Sequence, residues 1–296
     1  MKILVTGSSS ALARTLLPRL CADAGIAAVS GIDLREAHFA HPKFRATVMD
    51  FRDPRMPQLL QQHDALIHLA YVVLRGHVSE TEMRAVNVEG SFALLLQARA
   101  AGLRRIVHLS SAAVYGGGEQ LSETAPYAPL PGFCYGLHKA ELERRLDAAF
   151  PECLRLRPHV ILGPHAQPVL RQLLALPFYL RTAGPQPQLQ CVHESDVVDA
   201  VLRALDSDAQ GAINLAAADS FSLRDVKLGR NAWCLPLPVF AARAALHAAH
   251  RVSGWGGEPG WLDGLQRSLT LDCSRAAAQL QWQPRYSSAQ ALADTR

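Results

Sequence analysis

The feature that most constrains this chain is a repeated alternation, through its first 160 or so residues, of short apolar β-forming runs with helical patterns. Lys2 to Thr6 (KILVT), Ala27 to Asp33, Phe44 to Asp50, Ala65 to Ala70, Arg105 to Ser111 and Cys153 to Pro158 read as strands. The Ala65 run is apolar enough to be buried on both faces. Helical patterns run from the turn after Gly7 to about Ala24, from Pro57 to Gln62, from about Glu82 to Ala101, and from Tyr135 onward. Strands separated by helices of this length are joined by crossovers, so the sheet is mostly parallel with helices on both faces. Beyond Pro164 the regularity decays. Helical segments are expected near Val169 to Leu180 and Asp196 to Leu205, a short strand at Ile213 to Ala216, and an alanine-rich helix from about Val239 to Val252. A prolyl stretch (LPLP, Leu235 to Pro238) and a glycine-rich loop, Gly254 to Gly260, lie among them. The expected division is a sheet domain of residues 1–163 plus about 190–207. A smaller α/β substrate lobe is expected over about 164–189 and 208–296, capping the sheet's carboxyl edge.

At 296 residues, with 49% hydrophobic and 19% charged residues, the chain is long and apolar enough to bury a sizeable core. The net charge of +4 is mild. Basic pairs such as Arg104-Arg105 and Arg144-Arg145 are scattered and not interleaved with aromatics, so no nucleic-acid partner is expected. The six cysteines (Cys21, Cys134, Cys153, Cys191, Cys234 and Cys273) are far apart in sequence, which argues for reduced thiols. No apolar run reaches the roughly 18 residues of a membrane span, and a strand begins at Lys2 in place of a signal peptide. A cytoplasmic protein without a membrane partner is therefore expected.

Two stretches carry chemistry. The first strand, a turn led by Gly7, a helix and a second strand ending on Asp33 follow the order of a Rossmann-type dinucleotide-binding unit, whose helix N-terminus offers N–H groups to a pyrophosphate. Ser10 and Ala13 stand where that fingerprint has further glycines, and Asp33 can accept bonds from ribose hydroxyls. In the second stretch, the Arg105 to Ser111 strand stops on two hydroxyls, Ser110 and Ser111, at the sheet edge where open α/β folds bind ligands. Tyr135 and Lys139 follow, four apart and so on one helix face. An ammonium held near a phenol favours the phenolate, which lets Tyr135 take a proton from an alcohol or give one to a ketone.

The ordered set of TG-x-x-S-x-x-A from Thr6, Asp33, DFRD from Asp50, HLAY from His68, NVEG from Asn87, SSAAVYG from Ser110, and Y-x-x-x-K from Tyr135 resembles a known family. RPHVILGP from Arg157, CVHESD from Cys191 and LQWQP from Leu280 extend the match over nearly the whole chain. The family is the extended short-chain dehydrogenase/reductases, the NAD-dependent epimerase/dehydratase group that includes UDP-glucose 4-epimerase-like proteins. The resemblance implies a catalytic set of Ser111, Tyr135 and Lys139. It implies NAD contacts at Gly7, Ser9, Ser10, Ala11, Leu12, Asp33 and Leu34, at Asp50 and Phe51 around the adenine, and at Leu69, Ala70 and Asn87. Pro158 and Val160 would line the nicotinamide, and Ser111, Ala112, His159 and His193 the substrate, with Asp196 where the two parts meet.

The implied function is hydride transfer at a secondary alcohol or ketone, of a nucleotide sugar or of a simpler molecule; a cofactor-binding sensor without turnover is the alternative from another class. Gln188 to Gln190 stand where nucleotide-sugar members place an arginine, leaving Arg171, Arg181, Arg224 and Arg230 as substitutes for holding a diphosphate. Asp33 favours NAD over NADP, with Arg35 a partial offset. His38 with His41, and His247 with His250, lack the further ligands a metal needs. Trp233, Trp255 and Trp261 are expected in the lobe's core. Apolar residues Phe92, Leu94, Leu95 and Leu96, together with Leu142 and Leu146, suggest a homodimer through the two helices that carry them.

Overall fold

The computed structural model describes residues 1–73, 78–181, 184–230, 233–245 and 260–295. Its centre is a seven-stranded sheet built from β1 (Lys2–Thr6), β2 (Ala28–Asp33), β3 (Phe44–Val48), β4 (Ala65–His68), β5 (Arg105–Leu109) and the strands Leu154–Pro158 and Ala212–Leu215. Every neighbouring pair is parallel, in the order Ala212–Leu215, Leu154–Pro158, β5, β4, β1, β2, β3. The order reverses beside β1, which opens a crevice between the carboxyl ends of β1 and β4.

The strands' continuous apolar runs are explained by two-sided burial. In β1, Ile3 and Val5 enter one core with Leu16, Leu20 and Val197, while Leu4 enters the other with Leu66, Leu94 and Leu142. The first core is covered by α1 (Ala11–Ala22) and α7 (Glu194–Asp206). The second is covered by α2 (Met56–Leu60), α4 (Ser91–Ala100) and α5 (Cys134–Ala149). The helix expected from about Glu82 starts at Glu80, because Ser79 and Glu82 form a reciprocal cap. Between Glu80–Arg84 and α4 it passes through a π turn, Ala85–Gly90, that buries Asn87.

Four of the six apolar residues from which a helix-to-helix dimer was expected, Leu94, Leu95, Leu142 and Leu146, point into this core and leave no surplus there. The outer surface of the two helices instead carries ion pairs that join Arg84 to Glu89 and Glu141, and Arg145 to the same two carboxylates.

In the last third of the chain several elements differ from expectation. The helix near Val169 spans only Pro168–Ala175: Pro177 follows, and the Lys227 ammonium donates to the carbonyls of Leu173, Leu174 and Leu176 at 2.5, 2.9 and 2.8 Å. Phe178–Arg181, expected in that helix, is a strand, and the prolyl stretch Leu235–Pro238 pairs with it in parallel. Such a two-stranded ribbon has free edges, which is where a strand tolerates proline. Ala212–Leu215, expected in the lobe, is the edge strand of the central sheet. There the Asn214 N–H donates to the Glu123 carboxylate at 2.8 Å and its side-chain amide to the Leu121 carbonyl at 2.9 Å. Trp233 is 86% exposed and not a core residue. The helix expected from Val239 is seen over residues 239–245; its remainder, His247, His250, Trp255 and most of the glycine-rich loop lie outside the described residues. Among those that are described, no group of three metal-ligating side chains occurs and no helix is long and apolar enough to cross a membrane.

One buried ionic group ties α5 to the sheet. Glu143, inaccessible to solvent, accepts from Arg157 Nε at 2.9 Å and Nη2 at 2.6 Å, and from the Ser110 hydroxyl at 2.5 Å. Replacing one member of such a set strands the other charge in the core. Glu143→Leu is expected to lower the unfolding free energy by about 3–5 kcal/mol in a urea titration. Glu143→Gln, which keeps an acceptor for Ser110, should lose less.

Candidate active site

Residues 135, 139 and 143 are successive i, i+4 positions of α5, so Tyr135, Lys139 and Glu143 share one face. Once Glu143 is bound to Arg157 of the neighbouring strand, the rotation of α5 is set and Tyr135 and Lys139 face the carboxyl end of β5. The chain turns there: Ser110 points back to Glu143, and the next residue, Ser111, points forward, its hydroxyl near enough to the Tyr135 phenol to favour the phenolate. The two hydroxyls that end the strand are thus separated by strand alternation. Ser111 also caps a short 3-10 turn, accepting from the Ala113 N–H at 3.1 Å, which holds its rotamer.

Lys139 is 2% exposed; its ammonium donates to the Leu109 carbonyl at 2.6 Å and lies 3.6 Å from the centre of the Tyr71 ring and 6.0 Å from that of Tyr135. Burial pushes its pKa down to about 7, opposed by the Glu143 carboxylate. The Tyr135 phenol is pushed up by burial, with the Ser111 hydrogen bond opposing. The sequence led us to expect that the lysine would lower this phenol's pKa; here the ammonium is turned to Tyr71, and burial is the larger effect.

The turn after β1 has the form a dinucleotide requires. Gly7 has φ +77°, and a Cβ there would lie 2.5 Å from the Ala70 backbone nitrogen, so only glycine lets the ends of β1 and β4 meet. Ser10, which replaces a fingerprint glycine, is the N-cap of α1 and accepts from the Ala13 N–H at 3.4 Å. No acidic residue stands in the first turn of α1, so its N-terminus is free to face an anion. The Ser9 N–H donates to one Asp33 oxygen at 2.9 Å and the Arg35 N–H to the other at 3.3 Å, while the Ser9 hydroxyl is buried without a partner. Each Asp33 oxygen keeps further acceptor capacity for ribose hydroxyls. These residues fit a dinucleotide.

A single cavity of about 370 Å³ brings together Ser10, Ala11, Leu12 and Leu69 with Ser111, Ala112, Tyr135, Lys139, Pro158, His159 and Val160. Other expected contacts lie beside it or behind it. Gly7, Ser9, Asp33 and Ala70 surround the β1 turn, and Leu34 is 69% exposed beyond β2. The Asp50 side chain is held bidentately by Arg52, which keeps its carboxyl below the usual range. The Phe51 ring is buried edge-on to His68, leaving only its backbone for an adenine. Asn87 is fully buried and pins the Val72 backbone through two bonds of 2.8 and 2.9 Å, so it shapes the segment after β4.

His159 keeps a place in the cavity wall as a neutral ring. Burial lowers its pKa to about 4, opposed by the bond to the Leu269 carbonyl, and its other nitrogen accepts the Val160 N–H. His193, expected at the substrate, does not line the cavity: it caps α7 through the Ser195 N–H and stacks on Tyr286 at 3.9 Å. Asp196 accepts the Arg285 and Tyr286 N–H groups, binding the C-terminal segment to α7.

Two cavity elements escaped the sequence reading. Tyr71 lies over Lys139 and edge-on to Tyr135 at 5.3 Å, and its hydroxyl donates to the Tyr135 carbonyl at 3.3 Å. Its position just after the β4 run was the available signal. His165 and Thr15 both bond Glu194, at 2.7 and 2.6 Å, across 29 and 179 residues, and no local pattern carries that.

Comparison with known proteins agrees with this geometry. The family model described as NAD dependent epimerase/dehydratase matches residues 3–216. A UDP-glucose 4-epimerase of Mycolicibacterium smegmatis is 27% identical, over 100% of this chain and 97% of its own length. Among solved structures, a UDP-glucuronic acid 4-epimerase from Bacillus cereus in complex with NAD superposes with a TM-score of 0.73 at 20% identity, covering 100% of this chain and 97% of that one. The DesIV dTDP-glucose 4,6-dehydratase from Streptomyces venezuelae, with NAD and TYD bound, gives 0.73 at 22% identity, covering 100% and 95%. At these identities the superpositions speak for a shared fold.

The depressed Lys139 pKa has a stability signature. Folding holds this lysine at about 7 against an ordinary 10.5, so the unfolded chain binds more protons between those values and stability rises with pH across that window. Lys139→Met removes the penalty. Its gain in melting temperature over the wild type is expected to be largest below pH 7 and to shrink toward pH 10, measured by thermal unfolding without added nucleotide.

Proposed function

Because the chain belongs to the NAD-dependent epimerase/dehydratase family, we propose that it is an NAD-dependent oxidoreductase or epimerase acting at a secondary alcohol or ketone. The observation that carries this reading is the meeting of Ser111, Tyr135 and the buried Lys139 in one cavity at the carboxyl end of β5. NAD, when bound, supplies or accepts the hydride. The residues that would hold it are the Gly7 to Leu12 turn at the pyrophosphate, Asp33 at a ribose, the Asp50–Phe51 and Leu69–Ala70 backbones, and Pro158 and Val160 at the nicotinamide end.

The chain's own residues then divide the proton chemistry. The Ser111 hydroxyl holds the reacting oxygen of the substrate, and the Tyr135 phenol gives that oxygen a proton or takes one from it. Lys139, its ammonium 6.0 Å from the centre of the Tyr135 ring, supplies donors for ribose hydroxyls. Asp33 favours NAD, since a ribose phosphate would meet its carboxylate. Residues 1–163 with α7 would form the cofactor part, joined by the edge strand Ala212–Leu215 and by Ala276, Leu280 and Trp282, which pack in its core; the remainder would form the substrate lobe. The six cysteines, none in a disulfide, support a reducing compartment such as the cytoplasm.

A homodimer through α4 and α5 would be built on Phe92, Leu96 and the charged network of Arg84, Glu89, Glu141 and Arg145. Sedimentation at micromolar concentration tests it; a monomer removes this assembly, and a dimer that weakens with salt supports it.

Tyr135→Phe removes one hydroxyl and leaves ring packing intact. It is expected to bind NAD with unchanged affinity by fluorescence titration and to lose about 10²- to 10⁴-fold in kcat. Turnover within a few-fold of wild type would overturn the mechanism. Wild type should bind NAD more tightly than NADP, and Asp33→Ser should narrow that preference.

A further inference from the structure

We propose that the lobe side of this cavity receives an apolar secondary alcohol or ketone, a hydrocarbon skeleton carrying one reacting oxygen, and not a nucleoside diphosphate sugar. This names the substrate class for the site above and rests on that reading. Beyond Tyr135 the wall is made by Leu170, Leu173 and Leu174 of the Pro168–Ala175 helix. Phe133, Phe221 and Leu265 line the same cavity. The helix is amphipathic, with apolar residues at i, i+3 and i+4, none of them fully buried; Leu170 and Leu174 also pack on Leu162, Ala166, Cys191 and Leu292, while the same face lines the cavity.

A diphosphate carries two negative charges that need cations or unpaired N–H groups once removed from water. Among the described residues, the basic side chains in the wall are Lys139, His159 and His165. Lys139 is at the reacting end, His159 is held neutral with both nitrogens engaged, and His165 is paired with Glu194 beside Thr15 of α1, on the cofactor side.

Of the four arginines that could stand in for such a clamp, the Arg230 side chain lies outside the described residues. Arg171 donates to the Ala166 carbonyl at 2.8 Å, Arg224 is exposed over the Tyr179 ring, and Arg181 is exposed. None of the three lines the cavity. Lys227 spends its ammonium on three carbonyls at the end of the leucine-bearing helix. Gln190, within the stretch where a diphosphate-holding arginine was looked for, is 4% exposed and joins the Ala217 carbonyl to the Leu271 N–H at 2.9 and 2.7 Å. The polar side chains beside the reacting carbon are Ser111 and Tyr135, which define one oxygen; Gln167, at the start of the leucine-bearing helix, adds one uncharged amide to the lobe wall.

The test separates binding from turnover. N-Phenyl-1-naphthylamine, a neutral fluorescent probe, is bound to the full chain in the presence of NAD and displaced by 2-butanone, 2-hexanone, 2-octanone and 2-decanone. Displacement should strengthen by about threefold to fourfold per methylene until the cavity is filled. UDP-glucose at millimolar concentration should leave the probe in place. Leu173→Gln, at a half-buried wall position, should weaken 2-decanone at least tenfold with NAD affinity unchanged. Displacement by UDP-glucose below millimolar concentration, or ketone potency independent of chain length, overturns the inference. NADH oxidation with the same ketones, abolished in Tyr135→Phe, tests the underlying function separately. Ketones that bind without turnover would leave the cavity assignment standing and remove the proposed chemistry. Tyr135-dependent turnover of UDP-glucose alone would do the reverse.

Discussion

The buried contact between Glu143 and Arg157 is the constraint on which the rest of the cavity depends. A carboxylate and a guanidinium removed from water hold each other within narrow geometry, because any slip leaves a charge without a partner in a medium that cannot screen it. Glu143 sits on the helix that carries Tyr135 and Lys139, and Arg157 on the strand next to β5. The pair therefore fixes the helix in rotation and in height above the sheet. Ser110 joins the same carboxylate, which obliges Ser111 to face the other way. A proton-transfer group needs placement to within a fraction of an ångström, and here that placement derives from an ionic contact two helical turns below it.

The two ends of the cavity are built on different physics. At the β1 turn the interacting groups are largely backbone: the open N-terminus of α1, the Gly7 turn where no Cβ is tolerated, and N–H groups that also orient Asp33. Such a surface suits an anionic, hydroxyl-rich molecule. At the lobe the wall is leucine and phenylalanine, and the polar side chains nearby are consumed in holding the lobe together. Tyr71 and Lys139 lie where the two regimes join. The ammonium's present partners are a carbonyl and an aromatic face, both weaker than a carboxylate, which keeps this charge available at the cost of a lowered pKa.

Much of this was legible in the chain. Parallel strands buried on both faces must be apolar at every position, so β1, β4 and β5 announced themselves, and the helices between them obliged crossovers. Gly7, Asp33 and the Tyr135–Lys139 spacing were readable because each depends on neighbours within a few residues or on one helix face. Glu143 lies on the same spacing, and its role depends on Arg157, 14 residues on and in the neighbouring strand. Errors gathered where local signals conflict with pairing. The Leu235–Pro238 stretch, rich in proline, became a strand because an edge ribbon spares the missing N–H, and Phe178–Arg181 left its expected helix to pair with it.

The sequence by itself determined the layer order, the position of the dinucleotide turn and the pairing of a phenol with an ammonium, since periodicity and short spacing encode them. Only the tertiary structure decided that Ser110 turns back to Glu143, that His193 caps α7 and does not line the cavity, and that Tyr71 covers Lys139. It also decided that the lobe's nearby charges are spent on its own backbone. Contacts such as Ser110–Glu143 and Lys227–Leu173 join partners 33 and 54 residues apart, and contact across such distances is set by how the layers pack and not by any pattern along the chain.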